Sequence, residues 1–188
     1  PVPFDREQHA VEDLKDAPIE AILTGSKDLT FANSTAAQST PFDHDLNQEQ
    51  QAAVQYALLA DDLFCIHGPP GTGKTRTLIE IIRRAVEAGD DVLVCADSNQ
   101  AVDNLVAGGS TDGDIDQTAL HAHSQHGDGE FVLDRVNADR SARAIIRANY
   151  SDVDATPDIV AATNSSAARL HRTFDLVVID EATQATCT

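Results

Sequence analysis

Eight consecutive residues, Gly68-Pro69-Pro70-Gly71-Thr72-Gly73-Lys74-Thr75, have the types and spacing needed to hold phosphate. They fill every fixed position of the pattern G-x-x-x-x-G-K-[ST]. Gly71 and Gly73 lack a Cβ, so the backbone can turn through positive φ and bring its N–H groups close to anionic oxygens. A helix starting near Gly73 would aim its free N–H groups and positive dipole end at the same anion. Lys74 would reach the β- and γ-phosphates of a nucleotide, and the Thr75 hydroxyl would hold Mg²⁺. The competing explanation is an ordinary strand–turn–helix whose glycines only tighten the turn. Apolar Leu63–Ile66 before the loop, expected as a short buried strand, favours the nucleotide reading. So does the amphipathic set Leu78, Ile79, Ile81 and Ile82 after it.

A second constellation lies far downstream. Asp175-Leu176-Val177-Val178-Ile179-Asp180-Glu181 is an apolar strand ending in two carboxylates. Asp180 would hold the Mg²⁺ through water, and Glu181 would orient and polarise an attacking water as general base. The alternative is a pair of solvated acids at a strand edge. Upstream, Gln50 follows Asn47 by three residues at the start of an apolar-periodic helix. That spacing suits a capping box. It equally suits an amide whose donor and acceptor read the edge of adenine.

The elements that would position these groups alternate. Residues 1–25 read as one or two short helices, with Pro18 at a start and Gly25 at a stop. Residues 26–45 form a polar connector. The helix from Asn47 carries Ala53, Val54, Ala57 and Leu58 on one face. After the loop, Thr75 to Ala88 is helical and Gly89-Asp90 ends it. Val92–Ala96 is fully apolar, as in a central parallel strand covered on both faces. Asp97–Gln100 is a turn with N-cap residues, and the next helix runs to Gly108-Gly109. Residues 108–130, rich in Gly, Asp and His, read as a mobile insertion. Within it His121, His123, His126 and Asp128 offer metal-ligand chemistry, although flexible polar loops collect such residues by chance. Phe131–Val136 reads as a strand and Ser141–Tyr150 as a helix. Arg140, Arg143 and Arg147, near one face of it, would either meet phosphates or balance local acid. Asp158–Thr163 is a further buried strand, Asn164–Ser166 its turn, and Ala167–Leu170 a short helix. The β-α-β-α order predicts an α/β fold with a mostly parallel sheet and right-handed crossovers.

Bulk properties bound the rest. The chain has 188 residues, enough for a sizeable core. It has no methionine and begins with Pro1, which reads as a start produced by processing or excision. No apolar run is long enough to cross a membrane, and no basic-then-apolar leader is visible. Cys65, Cys95 and Cys187 lack disulfide or metal spacing, so buried thiols in a reducing cytoplasm are expected. Asp and Glu number 31 against 13 Lys and Arg, for a net charge of −18. Lysine occurs only at Lys15, Lys27 and Lys74. Such acidity ordinarily argues against nucleic-acid partners. It also resembles the composition of proteins from salt-accumulating haloarchaea, where a Debye length of about 3 Å in molar salt screens the repulsion.

The run of motifs resembles the superfamily 1 helicases, in the branch of the nonsense-mediated-decay RNA helicase and the replication helicase-nuclease. Leu46–Gln50 resembles the Q motif, Gly68–Thr75 matches motif I, and residues 92–105 resemble motif Ia. Residues 158–167 resemble the Thr/Ser-bearing strand before motif II, and residues 177–186 resemble motif II with its D-E-A-x-Q-A extension. The resemblance covers residues 46–188 and implies the first RecA-like ATPase domain of a two-domain motor, with residues 1–45 as lead-in. It implies that Gln50, Gly68, Pro69, Pro70, Gly71, Thr72, Gly73, Lys74, Thr75, Arg76, Asp180 and Glu181 face ATP and Mg²⁺. It places Gln184 where nucleotide state is coupled to the strand, and Ser98, Asn99, Thr163 and Ser165 on single-stranded DNA or RNA. Such contacts position a strand without reading its sequence. One departure is Asp97, which stands where motif Ia usually has proline.

The implied chain is a fragment, expected as a monomer. Its site would be completed by a second RecA-like domain of the same parent, which supplies arginine fingers. The alternatives are an AAA-type ATPase and a nucleic-acid-binding module with an idle ATP site. Motif order speaks against the first, since Asn164 precedes Asp180 and an AAA module carries its polar sensor strand after the acidic one.

Overall fold

A computed structural model of the chain describes residues 12, 14–15, 17–32, 40–109, 115–129, 131–140, 143–150 and 156–182. The chain divides into two compact units, one up to Ile81 and one from Ile82.

In the first unit, α1 (Pro18–Leu23) begins with proline at its first turn. Gly25 follows it at φ +73°, where Ser26 and Lys27 N–H close back on the Ala21 carbonyl. Helix α2 (Gln48–Leu59) opens with the expected capping box. Helix α3 (Lys74–Ala88) starts at the end of the glycine-rich loop and runs on into the second unit. The run Leu63–Ile66 is not a strand. A β-prone sequence becomes a strand only where a neighbour completes its ladder. Here Phe64 instead joins an aromatic trio, stacked on Tyr56 at 6.3 Å and edge-on to Phe31 at 6.4 Å. The adjacent Cys65 is exposed, against the expectation of a buried thiol.

The second unit is built on a four-stranded, all-parallel sheet. Its strands are β1 (Val92–Ala96), β2 (Leu133–Arg135), β3 (Ile159–Thr163) and β4 (Leu176–Ile179), in the order β2-β3-β1-β4. Every residue of β1 and β3 is buried, as a continuous apolar run in a covered parallel strand requires. Helix α4 (Asn99–Ala107) packs against β1 and β3, and Val102, Leu105 and Val106 are its buried stripe. Helix α5 (Ala144–Tyr150) buries Ile146 and Tyr150. The short α6 (Asn164–Ala167) begins directly at the end of β3, three residues earlier than expected, because Thr163 serves as its N-cap. Against one sheet face Leu93, Cys95, Val160 and Ala162 gather with Val136, Leu170 and Phe174. Burial there pushes the Cys95 thiol up to about 11, which keeps it unreactive.

Part of the stretch expected as an insertion belongs to this core. Residues Leu120–His123 form a 3₁₀ turn, with Leu120 and His121 buried. His121 stacks on His126 with ring centroids 5.6 Å apart, and its Nδ1 lies 2.7 Å from the Tyr150 hydroxyl. Among the described residues no group of three or more His, Cys, Asp or Glu has a metal-holding arrangement. Arg143 donates to the carbonyls of Asp103 and Gly108, towards the C-terminal end of α4.

This histidine pair makes stability depend on pH. Burial holds both imidazoles below their usual range, and His126 adds its charge to the effect on His121. The folded state should therefore bind protons less readily than the unfolded chain once pH falls below the ordinary imidazole value of 6.5. Stability contributed by the neutral pair is present above that value and is lost on acidification. The melting temperature should drop between about pH 7.5 and about pH 5.5, and His126→Phe should flatten the drop. An unchanged slope in that variant would put the pH response elsewhere.

Candidate functional site

The glycine-rich loop is bent as its sequence requires. Gly71 and Gly73 sit at φ +79° and +78°, where a β-carbon is strained. Thr72 tightens the turn, its hydroxyl donating to the Pro69 carbonyl at 2.8 Å. Lys74 opens α3 and folds back over the loop, its Nζ donating to the carbonyls of Gly68 at 2.8 Å and Pro69 at 3.2 Å. These partners are neutral, so exchanging them for phosphate oxygens would break no ion pair.

Gln50 serves the cap and the loop together. Its Oε1 accepts from Asn47 N–H at 2.8 Å, and its own N–H donates to Asn47 Oδ1 at 2.9 Å. Its Nε2 donates to the Thr72 carbonyl at 3.1 Å. A β-carbon at Gly73 would meet that same Nε2, the far end of a flexible side chain, so the positive φ is what calls for glycine and a substitution would also disturb the Gln50 tie. The start of α2 is thereby tied to the phosphate loop.

Arg76 and Glu80 hold the connector to the same helix. Arg76 forks onto Asp43, with Nε and Nη2 each at 2.8 Å from a carboxylate oxygen. Glu80 is 1% exposed, and its two oxygens accept from the backbone N–H of Phe42 and Asp43 at 2.9 and 3.0 Å. Sequence reasoning passed over Glu80. The available signal was a carboxylate set inside the apolar run Leu78-Ile79-Glu80-Ile81-Ile82.

In the second unit a parallel sheet sends all its strand ends the same way. The register pairs Ala96 with Thr163 and Cys95 with Ile179, so the carboxyl ends of β1, β3 and β4 form one edge. Ligands of open α/β sheets bind at that edge. Three candidate groups gather there: Ser98 and Asn99 after β1, Thr163 at the end of β3 with Ser165 beyond it, and Asp180 and Glu181 after β4. Ser98 caps α4 through Ala101 N–H at 3.1 Å. Thr163 is buried, and its Oγ1 accepts from Ser166 N–H at 3.3 Å and lies 3.3 Å from Ser165 Oγ. Asp180 is half-buried and its Oδ1 accepts from Glu181 N–H at 3.0 Å. Glu181 is exposed at φ +51°, an uncommon backbone state for a non-glycine residue. Gln184 lies outside the described residues. Arg135, which sequence reasoning also missed, is fully buried behind this edge.

The loop and the parallel sheet together define an α/β P-loop nucleotide-binding protein of the RecA-like kind. Residues 45–123 match a family described as "AAA domain". The chain is 33% identical over 189 residues to the DNA polymerase alpha-associated DNA helicase A of Schizosaccharomyces pombe, covering 77% of this chain and 29% of that protein. It is 32% identical over 149 residues to the DNA replication ATP-dependent helicase/nuclease of Saccharomyces cerevisiae, covering 76% of this chain and 9% of that one. It is 52% identical over 68 residues to the regulator of nonsense transcripts 1 homolog of Drosophila melanogaster, covering 36% of this chain and 6% of that one. The chain thus spans less than a third of the length of each of these relatives.

The chain belongs to the superfamily 1 helicases, in the branch of the nonsense-mediated-decay and replication helicases. Neither these relatives nor the strand order, Asn164 before Asp180, favours the AAA-type alternative. Among the described residues no helix is long and apolar enough to cross a membrane.

Proposed function

We propose that this chain supplies the ATP-binding part of a motor that couples ATP hydrolysis to movement along single-stranded DNA or RNA. The observation that carries the proposal is the shared edge: the acidic pair and the strand-binding candidates leave neighbouring parallel strands on the same side. A change at Asp180-Glu181 can then reach Ser98-Asn99 and Thr163-Ser165 through the sheet itself.

Gly68–Thr75 would cradle the triphosphate, with the Lys74 ammonium released from two loop carbonyls onto phosphate oxygens. Bound Mg²⁺ would neutralise phosphate charge, and Thr75 and Asp180 would be the residues to hold it. Glu181 would take the proton of the attacking water. Gln50 would read the adenine edge while keeping its tie to the loop, and Arg76 would stand beside the phosphates on Asp43. Residues 46–188 would form most of the first RecA-like domain, behind the lead-in of residues 1–45. A second such domain of the full-length protein would complete the site, and the protein would act as a monomer in the cytoplasm.

Glu181→Gln in the full-length protein tests this assignment. Strand-stimulated ATP hydrolysis should fall roughly 10²- to 10⁴-fold, with nucleotide affinity retained. Hydrolysis at the wild-type rate would place the general base elsewhere.

A further inference from the structure

Arg135 closes β2 with its side chain 1% exposed, and it faces an Asp103 side chain that is wholly buried. Its Nε donates to Asp103 Oδ1 at 3.1 Å, its Nη1 to the Val136 carbonyl at 2.6 Å, and its Nη2 to Asn99 Oδ1 at 2.8 Å. Asn99 and Asp103 are four residues apart on α4 and so share one helix face, which the guanidinium grips from the side. A guanidinium carries donors and no acceptor. The Asn99 amide must therefore turn its oxygen inward, and its NH₂ group is left on the outer side. Asn99 itself is exposed at the carboxyl edge of the sheet, and no described residue accepts from its Nδ2.

We infer that Arg135 is a positioning residue for strand binding: it fixes the Asn99 carboxamide so that two N–H donors, and never the carbonyl oxygen, face an incoming phosphate. The inference rests on the proposed reading of Asn99 as a strand contact. Stability alone is a weak reason for the ion pair, since a buried pair can often be replaced by apolar residues of similar volume without loss of stability. An amide free to flip would present its oxygen to a phosphate part of the time, and that orientation is repulsive. Asp103 holds the guanidinium in place for this task, and Val136 takes the remaining donor direction.

The test uses the full-length protein with fluorescein-labelled oligothymidylate and oligouridylate, read by anisotropy. Nucleotide affinity without strand and the melting temperature are measured alongside. Asn99→Ala should weaken strand binding roughly five- to tenfold, the loss of one charge-assisted donor site. The paired change Arg135→Met/Asp103→Leu should weaken it by a similar factor with melting and nucleotide affinity unchanged. Adding Asn99→Ala to that pair should bring no further loss, because the three residues act as one unit. Asn99→Asp keeps the Arg135 contact but removes the outward donors, and should bind at least as weakly as Asn99→Ala. Should the paired variant fold poorly, Arg135→Lys keeps the charge opposite Asp103 without the fork to Asn99, and the same loss is expected.

Wild-type strand affinity in the paired variant or in Arg135→Lys, with Asn99→Ala impaired, would overturn the positioning role alone. Wild-type affinity in Asn99→Ala would remove the strand-contact reading beneath it, and the inference with it.

Discussion

Lys74→Ala in the full-length protein is expected to reduce strand-stimulated ATP hydrolysis to background, a loss of roughly 10²-fold or more. Lys74 is one of only three lysines in a chain of net charge −18, so no nearby lysine stands ready to replace it. Its Nζ already lies over the loop, bonded to Gly68 and Pro69 carbonyls, and needs only to exchange partners. Alanine at that position keeps the helix start, because it is a strong helix former and leaves the positive-φ glycines untouched. Melting should therefore change little while nucleotide binding collapses. Strand-stimulated hydrolysis that survives Lys74→Ala would make the motor reading wrong.

Asp103→Ala is expected to destabilise the second unit by about 3–5 kcal/mol, because it leaves the Arg135 charge buried beside a cavity. The Arg135 and Asp103 side chains are 1% and 0% exposed, so water cannot take the lost partner's place. Chemical denaturation gives the number directly. The paired replacement Arg135→Met/Asp103→Leu should return stability to that of wild type, since neither residue then needs a counter-charge. If the single variant melts like wild type, the pair is less buried than its geometry indicates.

Helix ends and buried strands were legible in the sequence because their signals are local. Pro18, the Asn47–Gln50 pair, Ser98 and Gly108 each mark a terminus through their own backbone chemistry, and the structure has ends at all four. The apolar runs 92–96 and 159–162 became the two interior strands for the same reason. Leu63–Ile66 misled because its apolarity describes what the segment can pair with, while strand formation depends on what is beside it. Phe64 found aromatic partners distant in sequence, which no local pattern encodes.

The candidate site divides the same way. The phosphate loop and the acidic pair are contiguous motifs and could be read directly. Arg135 and Glu80 could not, because each is important through residues 32 to 38 positions away. His121 and His126 differ again: composition alone left a ligand set and a chance cluster both open, and the structure buries His121 and sets both rings against Tyr150. Gln50 satisfied its structural role, and the adenine contact remains a separate proposal for the same side chain.

β4 has a consequence for anyone producing this chain by itself. It ends the sheet with Val177 and Ile179 51% and 48% exposed, and its outer backbone groups have no ladder partner among the described residues. An open apolar edge is a template for a second copy of the same strand. At low salt, a net charge of −18 on each molecule holds copies apart. Added salt relieves repulsion inside each molecule and between molecules at once. Conditions chosen to make this acidic chain more compact will therefore also make it more prone to precipitate.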